Sequence, residues 1–329
     1  MHTITQHAQM FAATHLGCSI DDIKLTDVSG GYSRNRRSIA EYNGQYVFVK
    51  EVDVDLLSDE GEREIAWLRK DYELVIYLSE RGFAGISDWA KLSEDGKVLL
   101  LPCYRPEDGW VWTFPEDKTQ CKEYIDAVVT TTKQLEVMQI TDEDIKKYTM
   151  EPFLSDEIGG DMSLTKLADD GEMRGRVMEK LSSMLESGEY DVAKQELRNI
   201  ISLLGDVSRF DELKKAAEDL LVQPNKYIGH CDVRSDNLAY NTRTKQVRLV
   251  DWNWASMVPS NFGTTEFLVD AKKHGVDVSD WEEYLNHELL AASVGFWLSR
   301  CLKEPLRPGS SLREMQAVSA AMAYDMYSS

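Results

Sequence analysis

The chain has 329 residues, enough on a scale of roughly 150 residues per domain for two domains or for one two-lobed unit, and too long for a scaffold that depends on disulfides. Its 37 Lys and Arg stand against 57 Asp and Glu, a formal net charge of −20, so the surface field repels phosphate backbones and anionic lipids and makes nucleic acid and membrane surfaces poor partners. Cys18, Cys103, Cys121, Cys231 and Cys301 are scattered, with no C-x-x-C, which points to reduced thiols in a cytoplasmic protein rather than a disulfide framework or a zinc site.

The first seven residues carry no basic segment followed by an apolar stretch, and the most apolar run, 289–298, is too short to span a bilayer. Residues 1–22 read as a helix ending in an Asp-Asp step. The glycine turn Ser29-Gly30-Gly31-Tyr32-Ser33 follows, and then two β-type runs, 39–42 and 46–49, flank Asn43-Gly44, a strong short hairpin signal. That hairpin places Lys50 at the end of a strand. Residues 59–81 form a charged amphipathic helix with Leu68, Tyr72, Val75, Ile76 and Leu78 at mainly helical spacing, closed by Gly82 and Gly85. A short apolar strand, 97–101, stops at Pro102 before a loop, 103–115, rich in Pro, Gly and Trp, which is the expected boundary between two lobes. From 118 onward the chain reads as mostly helical, with Tyr124, Val128, Leu135 and Met138 on one face and a long loop over 155–170. One β island, 226–229, 238–240 and 246–250, interrupts the helices, which resume over 281–302 and 312–326.

The island holds the residues that point to chemistry. His230-Cys231-Asp232-Val233-Arg234-Ser235-Asp236-Asn237 has the spacing H-x-D-x-x-x-x-N, and the strand after it ends in Val250-Asp251-Trp252. Phosphoryl transfer from ATP needs a carboxylate to take the acceptor hydroxyl's proton and oxygen ligands to hold Mg²⁺ against the phosphates. Asp232 is the expected base, with Asn237 and Asp251 the expected metal ligands. A loop of this length can aim one side chain at the acceptor and the other at the cation, and the hairpin returns Asp251 to the same edge. The competing reading makes His230 and Asp232 a satisfied polar pair near a turn, with Asn237 capping the loop.

The order of features along the chain favours the chemical reading: glycine turn, strand Lys, acidic helix, apolar strand with connector, loop, strand Asp. Backbone N–H groups of residues 29–33 could approach phosphate oxygens, although the turn matches neither G-x-G-x-x-G nor G-x-x-x-x-G-K-[ST] and Gly-Gly is also an ordinary tight turn. Lys50 needs a carboxylate to hold it over the phosphates, and the acidic helix offers Glu62, Glu64 and Glu73. Glu73 is preferred because it opens the apolar run 73–78, with Glu64 the alternative.

The segment 229–254 resembles the aminoglycoside phosphotransferase and choline kinase-like family, and the resemblance extends more thinly from Val28 to about Leu268. It is carried by His230, Asp232, Asn237, Asp251 and Trp252, then by residues 29–33 and Lys50, then by Glu73. The resemblance implies an α+β, bilobal, protein-kinase-like fold. A small N-terminal antiparallel-sheet lobe (1–102) and a connector (103–115) would precede a larger, mainly helical C-terminal lobe (116–329). It also implies ATP with Mg²⁺, the adenine meeting backbone groups near Cys103 and Tyr104, and transfer of the γ-phosphate to a hydroxyl of a small molecule. Where family members commonly continue after the metal Asp with a Gly-Asp-Pro type turn and a further Asp, this chain runs Asn253-Trp254-Ala255-Ser256-Met257-Val258-Pro259, which leaves the acceptor side open. Arg234 stands where similar protein-kinase loops carry a Lys that touches the transferred phosphate. A fork-shaped cation there is expected to stabilise transition-state charge, the other reading being a salt bridge to a neighbour such as Asp236.

Three further readings compete with this one. A protein kinase is disfavoured because Asp251-Trp252-Asn253 is not D-F-G and no A-P-E follows; a nucleotide-binding pseudokinase would keep the fold without turnover; and a metal hydrolase built on His230 and Asp232 lacks a second His cluster. Trp110 and Trp112 read more readily as packing than as a pocket wall. Asp270, Asp280, Glu282, Glu283 and Glu288 fit a cation-binding lobe or an exposed helix face equally well. The excess of acid favours a cationic acceptor.

Overall fold

A computed structural model describes residues 4–28, 35–52, 58–138, 140–141, 143–144, 164–190, 193–304 and 310–329. The turn at 29–33 therefore lies outside the described residues. Two compact units emerge, one of residues 1–127 with 236–253, the other of 128–235 with 254–329.

The first unit is built on an antiparallel five-stranded sheet of order β1-β2-β3-β5-β4, with β1 Lys24–Asp27, β2 Arg36–Tyr42, β3 Gln45–Glu51, β4 Lys91–Leu92 and β5 Val98–Pro102. Asn43 and Gly44 both have positive φ, 49° and 76°, the geometry of a two-residue type I′ turn whose twist matches the strands it joins. The register that follows sets Lys50 opposite Arg37 on one side and Leu99 on the other. Helix α1 (Gln6–Leu16) lays Ala8, Ala12 and Leu16 on Ala40, Val47, Val49, Val98 and Leu100. Its cap Thr5 donates its backbone N–H to Glu51 Oε2 at 2.7 Å, which ties the start of the helix to the end of β3.

Helix α2 (Ser58–Glu80) buries Glu64, Leu68, Asp71, Leu74, Val75 and Leu78, a stripe at helical spacing that includes two carboxylates. Gly82, at φ 75°, donates to the Ser79 carbonyl while Phe83 donates to the Leu78 carbonyl. This left-handed cap satisfies the last carbonyls and seats Phe83 and Leu78 in the interior. A smaller sheet of order β6-β8-β9 completes the unit: β6 is Trp110–Val111, β8 Leu238–Asn241 and β9 Val247–Leu249, while β7, Tyr227–Gly229, belongs to the second unit.

Helix α3 (Lys118–Val137) crosses the division at 127. The second unit continues with α4 Leu164–Asp169, α5 Gly171–Ser187, α6 Lys194–Gly205, α7 Phe210–Val222, β7, β10 Ser256–Val258, α8 Phe262–Lys273, α9 His287–Arg300 and α10 Leu312–Ser328. A Cβ on Gly295 of α9 would lie 2.6 Å from the Leu164 backbone nitrogen, so α9 and α4 approach as closely as backbones can and only glycine fits.

Three expectations about elements change. Residues 164–169 are helical rather than loop, because Leu164 and Leu167, both buried, sit one turn apart, and Asp170 then caps α5 by accepting from Met173 N–H; 155–163 lie outside the described residues. The β island is two separate pieces: β7 pairs with the unexpected β10, whereas β8 and β9 form a hairpin with β6. Residues 279–284 form a 3-10 turn, and Asn286 caps α9 by accepting from Leu289 N–H at 2.8 Å.

Candidate active site

In the first unit Lys50 is the penultimate residue of β3, with its side chain 7% exposed, and its Nζ lies 2.9 Å from Asp71 Oδ2 and 2.8 Å from Asp251 Oδ1. Burial works against the charged ammonium, but Asp251 and then Asp71 outweigh it and hold the lysine above its ordinary pKa. The partner on α2 is thus Asp71, not the expected Glu73 and not Glu64. A helix turns about 100° per residue, so Glu73, two positions on, points about 200° away from Asp71 and is only half-buried. Glu64 lies two turns before Asp71 on the same buried stripe but is not the carboxylate that meets Lys50. The missed signal was that spacing, Glu64, Leu68, Asp71, Val75 and Leu78.

Asp71 also fixes Asp251 from behind. Its Oδ1 accepts the Trp252 backbone N–H at 3.2 Å, and Trp252, fully buried, donates its indole N–H to the Leu249 carbonyl at 3.0 Å and meets Phe83 edge-on. Asp251 itself has φ 69°, a left-handed conformation for which a residue other than glycine needs outside support, here given by both Trp252 bonds. Asn237, 6% exposed, closes a 3-10 turn, and its carbonyl accepts from Val250 N–H at 3.0 Å. The β8–β9 register, Leu238 opposite Leu249, therefore sets Asn237 and Asp251 at one end of the hairpin.

An amide oxygen and a carboxylate are hard donors of the type Mg²⁺ takes. Among the described residues no group of three or more His, Cys, Asp or Glu forms a cage. That donor pair fits a cation bound through one or two protein ligands plus a substrate's phosphates, so the residues present suit Mg²⁺ carried by a nucleotide.

Beyond Pro102, Cys103 is half-buried, and burial pushes its thiol up to about 11. Tyr104 packs against Trp110 at a tilt of 53° with ring centroids 4.6 Å apart and donates its hydroxyl to Ser87, and Trp112 Nε1 donates to the Tyr104 carbonyl at 3.1 Å. Trp110 and Trp112 thus brace this stretch of chain, as the packing reading expected.

In the second unit Cys231 has φ 59°, a turn that precedes Asp232. The Asp232 side chain is 28% exposed and is met by the Arg234 fork, Nε to Oδ1 at 2.9 Å and the terminal amine to Oδ2 at 3.2 Å. Arg234 is therefore paired with Asp232.

Two carboxylates that sequence reasoning did not assign to the site lie against the same loop. Glu266 Oε2 accepts from Val233 N–H at 3.4 Å and Asp270 Oδ2 accepts from Ser235 N–H at 2.8 Å. Burial and then the neighbouring Asp232 push the Glu266 carboxyl well above its ordinary range. Asp270 is only 3% exposed, so it does not belong to an exposed face; burial alone would raise it, but Lys273, His274 and the Ser235 N–H hold it below its ordinary value.

No family model matches the chain, and no curated protein matches it. Solved structures do. Plasmodium vivax ethanolamine kinase is 12% identical with a TM-score of 0.50, the match covering 92% of this chain and 83% of that one. The gentamicin–APH(2")-IIa complex is 13% identical with a TM-score of 0.51, covering 99% of each chain. The likeness is one of fold: the chain has the α+β architecture of these phosphotransferases, which meets the resemblance read from residues 229–254.

Proposed function

We propose that the protein transfers the γ-phosphate of ATP to a hydroxyl of a small molecule. The observation that carries the reading is the buried Lys50 held at 2.8 Å by Asp251, a residue 201 positions away, just past the hairpin that follows H-x-D-x-x-x-x-N. A buried lysine beside the very aspartate expected to bind metal brings together two groups that phosphoryl transfer uses, and a solvated strand-end lysine would not do so.

In this reading Lys50, positioned by Asp71, faces the phosphates, together with the backbone of Ser29, Gly30, Gly31, Tyr32 and Ser33. Backbone groups near Cys103 and Tyr104 meet the adenine. Asn237 and Asp251 hold Mg²⁺, which when bound neutralises charge on the phosphates. Asp232 orients the acceptor hydroxyl and takes its proton. Arg234, forked onto Asp232, moves to the transferred group and so releases the base as charge develops. We keep the lobes expected from sequence, 1–102 and 116–329 about the connector 103–115, as the proposed functional division, although the compact units join 103–127 and 236–253 to the first, and the cysteine usage is in keeping with a cytoplasmic location. Among the described residues no helix is long and apolar enough to cross a membrane.

The acceptor we favour is cationic, in keeping with a net charge of −20, and ethanolamine and gentamicin, named in the two solved structures, are the first to try. ADP release is measured with Mg·ATP over a panel of amino alcohols, aminoglycosides, sugars and hydroxy amino acids, for the parent and Asp232→Asn. Loss of the base should cut kcat by about 10²–10⁴-fold and leave Mg·ATP binding in place. Full turnover in Asp232→Asn, or binding of Mg·ATP without turnover of any acceptor, would overturn the proposal, the latter in favour of a pseudokinase.

A further inference from the structure

One face of α8 meets the loop that carries Asp232 at three points. Gly263, Glu266 and Asp270 stand three and seven residues apart and share that face. A Cβ on Gly263 would lie 3.1 Å from Val233 Cγ2, so loop and helix are in close approach there. The next two points are the bonds from Val233 N–H to Glu266 and from Ser235 N–H to Asp270. Asp270 is neutralised on its own helix by Lys273. The cation that acts on Glu266 is Arg234, which is itself forked onto Asp232.

We propose that Glu266 is a positioning residue for Asp232: it seats Val233 on α8 and so fixes the side chain one residue earlier in the chain. The inference rests on the reading of Asp232 as the base. Its acceptor role needs no negative charge. Burial and the neighbouring Asp232 both push the Glu266 carboxyl toward its neutral form, which can still accept from Val233 N–H through its carbonyl oxygen. Asp270 does the complementary work as a charged, lysine-paired acceptor one turn on. The loop backbone is thus held from one helix face by two carboxyl groups, and Glu266 is the one nearer the reacting group in the chain.

The distinction between hydrogen-bonding shape and charge makes the proposal testable. Glu266→Gln keeps an amide oxygen where the neutral acid has its carbonyl, Glu266→Ala removes the acceptor, and Glu266→Asp withdraws it by one methylene. Hydrogen exchange of the full chain is followed over residues 230–237, with β2 and β3 as internal reference. Steady-state turnover of Mg·ATP is measured with ethanolamine and gentamicin as probe acceptors. Glu266→Ala should speed exchange of the loop about tenfold or more and leave the β2–β3 hairpin unchanged. It should also lower kcat by about tenfold or more without moving KM for ATP, because a small misplacement of a reacting group costs rate and not nucleotide binding. Gln should restore both readouts to within about threefold of the parent. If Ala fails to fold, Asp is read in its place with the same expectation. Exchange and kcat unchanged in Ala, or Gln as defective as Ala, would overturn the proposal. A parent that turns over neither probe counts against phosphate transfer to those acceptors, and the exchange comparison then decides the role of Glu266 by itself.

Discussion

Asp71 is the residue whose removal tests the nucleotide half of the proposed site most directly. One carboxylate satisfies two buried donors, the Lys50 ammonium through Oδ2 at 2.9 Å and the Trp252 N–H through Oδ1 at 3.2 Å, and its side chain is 3% exposed. Breaking a buried ion pair on one side costs about 3–5 kcal/mol when the remaining charge is uncompensated. Lys50 keeps Asp251 at 2.8 Å, so the lower part of that range applies. An orphaned buried N–H adds about 1–3 kcal/mol, again toward the lower end because the bond is long. Asp71→Ala should therefore destabilise the protein by about 3–5 kcal/mol. Asp71→Asn has one acceptor oxygen for two donors and turns its amide N–H toward the other, so it should lose about half as much. Urea denaturation of both variants at pH 7 measures this. The Ala variant should bind Mg·ATP more weakly as well, since Asp251 loses the brace behind Trp252. An Ala variant within about 0.5 kcal/mol of the parent would mean that the triad is not a buried, stability-bearing network, and the reasoning would fail.

Two further predictions rest on separate observations. Gly295→Ala would press a methyl to 2.6 Å from the Leu164 backbone nitrogen, where no flexible side chain can yield; a loss of about 1–3 kcal/mol is expected in the same urea assay, and a neutral result would show that α4 can move off α9. The raised Glu266 pKa stabilises the fold fully below the ordinary glutamate value of 4.5 and loses that contribution as pH rises through the raised folded value. The Tm of Glu266→Gln relative to the parent should therefore climb as pH increases above 4.5, and a difference constant with pH from 5 to about 8 would contradict the assignment.

What could be read in advance divides along physical lines. The hairpin at Asn43-Gly44 was legible because a turn needing two positive φ angles admits few residues, and its register carried Lys50 with it. The loop 230–237 and the aspartate after the next strand were legible because their spacing is a matter of chain geometry alone. Asp71 was not picked out, because choosing among carboxylates on a helix requires knowing which face turns toward β3. The apolar run after Glu73 drew attention to the wrong side of a helix whose buried stripe includes two acids. Glu266 and Asp270 escaped for a related reason: they act on backbone N–H groups of a loop thirty-odd residues earlier, and backbone partners leave no mark in a side-chain pattern. Strand β10 is three residues long, too short for alternation to register.

The net charge of −20 acquires a local meaning at Lys50. Its single positive charge is already outnumbered by Asp71 and Asp251, so these three side chains together carry a net negative charge before any nucleotide arrives, with Arg37 the nearby cation that also acts on Lys50. Lysine alone cannot then attract a triphosphate: the carboxylate that holds it would repel the ligand at close range in a medium of low effective dielectric. In the proposed reading a divalent cation would reverse the balance, since Asp251 would help to hold it and Lys50 would then be left to face the phosphates. The triad therefore predicts that nucleotide binding is conditional on the metal, and more so than in a site whose lysine has one partner. Titration of ATP by isothermal calorimetry should give at least about a hundredfold tighter binding in Mg²⁺ than in EDTA. Asp251→Asn removes a ligand and a repelling charge together, so it should narrow that ratio by weakening binding with Mg²⁺ and strengthening it without. ATP bound equally well in EDTA, or a ratio that Asp251→Asn leaves unchanged, would show that the charges at Lys50 do not govern the nucleotide.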